Sequence, residues 1–358
     1  MGARKKSGTE SPLVTERLPG RTIHHNGREM LYFSGTSYLG MSQLPAFKEL
    51  IKEGIDRIGT HFGGSRLSNV QIDIFEKAEE ELARFCGAES ALLLSSGSFA
   101  GYVLSQGVPA ESRIFVAPGT HSALWKSFHP PAEMPRSLWE EQTLEQLRKY
   151  RGKAIVLSNT VDPLFCKKID MSWLKKATDP ERITVVADDS HGIGVTGPSG
   201  AGSFASWAGS FPGKTLFMGS LGKGMGIPAG YVLGDTNTIK NLRTTRIFGG
   251  SSPPNPAFLY AWLQGRNLYE EQLQKLRRNI DLLHRLTNTD DHFHYLDHFP
   301  VFHCKDPDMD RNLLQKHIVI SAFNYPGPND PKITRVVLNA LHREEDIEEL
   351  VVGLGGEV

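Results

Sequence analysis

The sequence predicts an α/β protein with a mostly parallel sheet, followed by a smaller C-terminal α+β domain. Three observations carry this. Short apolar runs of strand length recur along the chain, stretches long enough for crossover helices separate them, and 39% apolar content over 358 residues supplies a substantial core. In chain order, Ile72, Phe75, Ala78, Leu82 and Phe85 recur at spacings of three and four among charges, which predicts an amphipathic helix, with Gly87 at its C′ position. The β-prone runs 91–94, 113–117, 153–157 and 183–187 follow, each bounded by turn residues. Two more, 215–218 and 231–233, flank a glycine-rich turn. The pattern is helical from Pro256 to about Leu286, after which 301–303 and 333–338 read as strands between helices. Residues 248–256 (FGGSSPPNP) suit a loop at the domain boundary. The expected organisation is an N-terminal segment 1–44, a large domain 45–245 and a small domain 246–358.

Composition removes several functions. Forty Lys and Arg balance forty Asp and Glu, so the chain lacks the basic excess of a nucleic-acid binder. Cys86, Cys166 and Cys304 stand far apart with no C-x-x-C pair, so neither a disulfide framework nor a metal site is indicated, and a reducing cytoplasm is expected. The basic N-terminus has no apolar core of a signal peptide, and Lys6 stands where a myristoylation signal wants Ser or Thr. No apolar run approaches the ~20 residues of a membrane span.

Four places could carry chemistry. In 219–226 (GSLGKGMG), Lys223 sits in a tight glycine turn; desolvation there would favour its neutral, nucleophilic form, although an ordinary turn lysine is the plainer reading. A P-loop is excluded, because it needs Gly where Phe217 stands and Ser or Thr where Gly224 stands. Asp188 and His191 emerge just after the run 183–187, at the strand end where open α/β sheets bind ligands. Residues 192–197 (GIGVTG) match the dinucleotide pattern, but no helix opens there and no acid follows about 20 residues on. Ser95, Ser96, Gly97 and Ser98 follow a strand and precede a helix, where free amides and hydroxyls could hold a phosphate or serve only as a cap. His121 begins a helical stretch after the run 113–117. A lysine, a carboxylate, two histidines and a phosphate-binding turn at successive strand ends together suit pyridoxal phosphate. The lysine would form a Schiff base, the carboxylate would keep the pyridine nitrogen protonated, and the turn would hold the phosphate.

In these residues the chain resembles the α-oxoamine synthases, the pyridoxal-phosphate enzymes typified by 8-amino-7-oxononanoate synthase and 2-amino-3-ketobutyrate CoA ligase. The resemblance runs in order through YLG (38–40), GGSR (63–66), EEELARF (79–85), SSG (95–97), His121, DDSHGIGVTG (188–197), SLGKGMG (220–226), the prolines 253–254 and LNALHREEDI (338–347). It implies fold type I, with a seven-stranded, mostly parallel sheet in the large domain. By the resemblance Lys223 carries the Schiff base, Asp188 pairs with the pyridine nitrogen, His191 lies near the ring hydroxyl and His121 stacks on the ring. Gly97, Ser98 and Ser220 hold the phosphate, aided by Ser251 or Ser252 of a second subunit, which implies a homodimer with a shared active site.

The departures fall at substrate positions. Thr36 stands where the family has Asn, and 158–165 (SNTVDPLF) replaces Glu-Gly-x-x-Ser-Met-x-Gly. Ser98 replaces an aromatic residue. Ile333 stands where the carboxylate-binding arginine is expected, leaving Arg335, on the same strand face about 6–7 Å away, to substitute. The reaction expected is decarboxylative condensation of an amino acid with an acyl-CoA, with Lys223 moving the proton at Cα and His121 orienting the acyl group. An aminotransferase or amino-acid lyase on the same fold is the alternative.

Overall fold

The computed structural model describes residues 12–107, 111–125, 134–325, 327 and 329–356. The chain opens with a hairpin, β1 (Thr22–His25) and β2 (Arg28–Phe33), turned by Asn26 and Gly27 at φ 51° and 75°. The helices α1 (Pro45–Ile58) and α2 (Ile74–Cys86) follow, and α2 ends with Gly87 in the left-handed conformation. Strands and helices then alternate: β3 (Ser90–Leu94), α3 (Gly97–Gln106), β4 (Arg113–Val116), α4 (Arg136–Lys149) and β5 (Ala154–Asn159). A small hairpin of β6 (Val161–Asp162) and β7 (Lys167–Lys168) precedes β8 (Ile183–Asp188), α5 (Phe204–Ser210), β9 (Lys214–Ser220) and β10 (Gly230–Gly234). The helices α6 (Thr236–Arg243), α7 (Arg246–Gly249), α8 (Pro256–Gln264) and α9 (Arg266–Leu286) lead to β11 (Phe293–Tyr295), β12 (Val301–Cys304), β13 (Ile318–Asn324), β14 (Lys332–Val337) and a last helix, Glu344–Gly353.

The first sheet has the order β3-β10-β9-β8-β5-β4. Its neighbours β9, β8, β5 and β4 pair in parallel, while β10 opposes both β9 and β3. All strands but β10 therefore run the same way, and their carboxyl ends share one edge. Seven strands were expected and six lie among the described residues; the connection after β4 includes 126–133, which are not described. Every residue of β10 and all but one of β8 are buried, as befits strands covered on both faces.

The second sheet has the order β1-β2-β13-β14-β12-β11. The N-terminal segment expected at 1–44 thus contributes two strands to the C-terminal sheet, through parallel pairing of β2 with β13; its residues 1–11 lie outside the described residues. The helix expected from Pro256 to Leu286 is divided at Gly265, where a Cβ would come within 2.8 Å of the Ala261 carbonyl oxygen. Glu79 of α2 is buried and accepts Arg66 Nη1 and Nη2 at 3.1 Å each, Arg243 Nη2 at 2.8 Å and the Leu93 amide at 2.9 Å. One carboxylate thereby ties α2 to β3, to α6 and to the loop 63–66. No helix among the described residues is long and apolar enough to cross a membrane.

Candidate active site

The carboxyl edge of the first sheet gathers most of the residues expected to act. Asp188 ends β8, and Lys223 lies in the turn from β9 to β10. Asp188 is buried; its Oδ1 accepts the Ser190 amide at 2.8 Å, and its Oδ2 lies 3.7 Å from His121 Nδ1. His121 follows β4 and is fixed at both ends. Its amide donates to Asn159 Oδ1 at 3.0 Å, while its Nδ1 accepts the Ala123 amide at 3.2 Å, so the ring proton of the neutral form sits on Nε2. Asn159 ends β5 and donates to the Gly119 carbonyl at 2.8 Å, which shapes the turn carrying His121.

His191 joins the site to its surroundings. Its Nε2 is 2.9 Å from Lys223 Nζ, and its Nδ1 is 2.7 Å from the Tyr38 hydroxyl. Burial pushes the Lys223 amine below its ordinary range against the pull of Asp188, and Arg335 lowers it further. Burial likewise holds His191 well below the usual imidazole range, with Lys223, Arg335 and His121 acting in the same direction. The imidazole is therefore neutral at physiological pH, and the amine beside it loses its proton more readily than a solvated lysine.

The turn after β3 behaves as a cap and as a cradle. Ser96 is the N-cap of α3, accepting the Phe99 amide at 3.2 Å, and the first intrahelical donor is Ala100. The amides of Gly97 and Ser98 precede it and have no helical acceptor. A Cβ on Gly97 would stand 2.8 Å from Ser220 Cβ and 3.0 Å from the Ser220 backbone, so glycine lets the helix start touch the end of β9. Ser220 Oγ accepts the Gly222 amide at 3.1 Å and keeps its own proton to donate.

Arg335 of β14 is 6% exposed and stands opposite Ser321 and His303 in the second sheet. Its Nη1 donates to the Pro163 carbonyl at 2.8 Å, its guanidinium carbon lies 5.0 Å from the Phe323 ring centroid, and its buried Nε has no partner among the described residues. Not every expected residue is drawn in. Thr36 is half-buried with no side-chain hydrogen bond among the described residues, Ser98 and Ser252 are exposed, and Ser251 donates to the Phe248 carbonyl at 2.9 Å.

Two residues within the quoted motifs carry roles that spacing did not reveal. Tyr38 is 1% exposed and reaches His191 from 153 positions away. Asp189 is buried behind the site, accepting the Thr160 hydroxyl and, at 3.0 Å, the Ser203 amide. A Cβ on Gly192 or Gly202 would lie 2.0 or 2.2 Å from its carboxylate oxygens, so glycines of 192–202 surround this acid and not a dinucleotide. A cavity of about 1100 Å³ is lined by residues of α2, of the segment 194–203 and of α9, and Lys223, Asp188, His191 and His121 do not line it.

Over residues 141–354 the sequence matches the family described as aminotransferase class I and II. The chain belongs to that family. Its cofactor is pyridoxal phosphate. An 8-amino-7-oxononanoate synthase of Lysinibacillus sphaericus is 29% identical over 272 residues, 72% of this chain and 69% of that protein. One from Coprothermobacter proteolyticus is 26% identical over 353 residues, 92% and 88% of the two chains. The fold matches the serine palmitoyltransferase of Sphingomonas wittichii with a TM-score of 0.80 at 17% identity, over 95% of this chain and 90% of the other. It matches an 8-amino-7-oxononanoate synthase of Francisella tularensis with 0.67 at 21%, over 91% and 96%.

The residues present fit the cofactor of this aminotransferase-family chain. A desolvated amine, a buried carboxylate with one oxygen free of backbone donors, and a helix start closed on Ser220 all face one edge of the sheet. The Arg335 Nε is a cationic donor without an acceptor among the described residues, and the charge of Arg335 acts on that amine.

Proposed function

We propose that the protein condenses an amino acid with an acyl-CoA thioester, releasing carbon dioxide and the free thiol of coenzyme A. One observation carries the amino-acid half. The desolvated Lys223 amine feels the charge of Arg335, whose buried Nε has no partner among the described residues, and the two match the amine and carboxylate of such a substrate. The acyl-CoA half is supported by the likeness to synthases over most of their length.

We assign Gly97, Ser98 and Ser220 to the cofactor phosphate, Asp188 to the ring nitrogen, His191 to the ring hydroxyl and His121 to the ring face. Bound pyridoxal phosphate supplies an electron sink for negative charge at the amino-acid Cα. Arg335 holds the substrate carboxylate through Nε and its free Nη2, charge-assisted bonds to a group that otherwise leaves a cation unpaired. Lys223, whose burial favours the neutral amine, takes the proton from Cα and returns one at the end. His121 directs its Nε2–H at the thioester carbonyl, orienting the acyl group. Thr36 lines the carboxylate end, two residues before Tyr38. A second chain supplies Ser252, so the working form is a homodimer in the cytoplasm; the exposure of Ser98 and Ser252 and the three buried free cysteines support this.

The test is the visible spectrum of wild-type and Lys223→Ala protein with pyridoxal phosphate, followed by single amino acids and then acyl-CoAs. Wild type should show a lysine-dependent band that Lys223→Ala lacks, and an amino acid plus an acyl-CoA should release thiol. Oxo-acid formation or cleavage without thiol would establish the aminotransferase or lyase reading instead. No lysine-dependent band would sink both.

A further inference from the structure

The hydrogen-bonded series Tyr38–His191–Lys223 crosses between the two sheets. Tyr38 is held by the C-terminal half: its carbonyl accepts the Ala340 amide at 2.9 Å, and its ring lies 6.1 Å from that of Phe299. His191 and Lys223 follow β8 and β9 of the large sheet. The two links are short, 2.7 Å from Tyr38 Oη to Nδ1 and 2.9 Å from Nε2 to Lys223 Nζ.

Proton counting along this series gives two arrangements. An ammonium at Lys223 can only donate, so Nε2 must be bare and Nδ1–H donates to Tyr38 Oη. A neutral amine keeps N–H donors and adds a lone pair, so Nε2–H can donate to Nζ while Tyr38 Oη–H donates to Nδ1. The ammonium of Lys223 thus fixes the tautomer of His191, and loss of its proton opens the other. Both arrangements are satisfied only because a hydroxyl stands at Nδ1, able to donate or accept. We propose that Tyr38 is a positioning residue for Lys223: acting through His191, it lets the ring nitrogen beside the amine switch between acceptor and donor as the amine gains or loses its proton.

The surrounding groups agree. Burial holds the Tyr38 phenol far above its ordinary range, with Arg335 opposing and Cys166 adding to the rise, so it keeps its proton at working pH. Lys223, Arg335 and His121 all face His191 and keep it neutral, while Asp188 and Arg335 face Lys223. The assignment rests on Lys223 being the reactive amine, and its deciding test involves no turnover, so failure of acyl transfer and failure of this inference are separate results.

In the full-length, cofactor-free protein, the pH dependence of Lys223 acylation by an amine-selective reagent is followed by mass spectrometry for wild type and Tyr38→Phe. Without the hydroxyl, Nδ1–H would be a buried donor with no acceptor, so the Nε2–H form prevails and disfavours the ammonium. The midpoint should fall by roughly one pH unit, the equivalent of one hydrogen bond. In a His191→Phe background, Tyr38→Phe should shift nothing further. An unchanged midpoint in a Tyr38→Phe protein of unchanged Tm overturns the proposal, as does a shift that persists without His191. Should Tyr38→Phe not fold, the wild type decides: its His191 ¹⁵N shifts must change tautomer with the same midpoint as Lys223 labelling, and constant shifts overturn the proposal. In the loaded enzyme the variant should lower kcat and leave the amino-acid KM in place.

Discussion

Replacing Arg335 with methionine should make the protein more stable and less able to hold its amino acid. The side chain is 6% exposed, makes one hydrogen bond to the Pro163 carbonyl, leaves Nε without an acceptor and, among the described residues, meets no carboxylate at ion-pair distance. Burial accordingly lowers its pKa. Methionine keeps the stem and a polarisable contact with the Phe323 ring while removing the buried charge. Exchanging a buried ionic group for an apolar one of similar volume gains about 1–4 kcal/mol at best. With ~2.1 cal/mol/K of unfolding entropy per residue, a chain of 358 residues gains about 1.3 °C per kcal/mol, so Tm should rise by about 1–5 °C. The substrate carboxylate would lose charge-assisted bonds worth about 1.5–3 kcal/mol, weakening the amino acid roughly 10- to 140-fold. Calorimetry and an amino-acid titration of the cofactor band measure the two effects on one preparation. A lowered Tm with unchanged amino-acid affinity would refute the reasoning, because Arg335 would then be a structural cation and the carboxylate anchor would lie elsewhere.

Glu79→Gln leaves Arg66 and Arg243 facing a neutral amide, and breaking a buried pair costs about 3–5 kcal/mol, so Tm should fall by about 4–7 °C with the cofactor band still forming. Gly97→Ala drives a methyl group into Ser220, an overpacking of about 1–3 kcal/mol at the phosphate turn, and should weaken pyridoxal phosphate about 5- to 150-fold in an absorbance titration. Burial raises Asp189 from 3.8 to about 7. The folded state therefore binds a proton that the unfolded chain has already released. Its contribution to stability is fully present below about pH 4 and lost as pH rises to about 7. Asp189→Asn should remove that part of the slope in denaturation midpoints measured from pH 4 to 8; an unaltered slope would show that Asp189 is ionised throughout.

The large sheet was legible because its strands are buried on both faces and so read as unbroken apolar runs. The run 91–94 lies within β3 (Ser90–Leu94), and 183–187 lies within β8 (Ile183–Asp188). The hairpin of β1 and β2 was passed over although its signal was present, since Asn26 and Gly27 at positive φ are what a tight hairpin turn requires. β13 was missed because pairing in the middle of a mixed sheet depends on β2, nearly 300 positions away. Charged residues at strand ends gave the site its outline. What they could not give were contacts whose partner lies far along the chain: Tyr38 with His191, Thr160 with Asp189, and Arg243 with Glu79. Of these residues only His191 had a stated role, and each contact depends on burial that periodicity alone does not reveal.

The departures from the α-oxoamine synthase pattern have a physical location. Lys223, Asp188, His191, His121, Gly97 and Ser220 all hang from the first sheet, whose parallel strands fix them against one another. Ile333 and Arg335 belong to the second sheet, and Thr36 follows β2 of that sheet. Pro163, whose carbonyl takes one Arg335 donor, lies in the loop of the hairpin between β6 and β7. On the proposed roles, a substitution on the second sheet should therefore move the carboxylate anchor without disturbing Lys223 or Asp188. The series Tyr38–His191–Lys223 is where that independence ends, since it fastens the reactive amine to the C-terminal half. On the proposed roles, a change at Thr36, Pro163 or Ile333 should alter which amino acid is held, whereas a change at Tyr38 should reach the proton on Lys223.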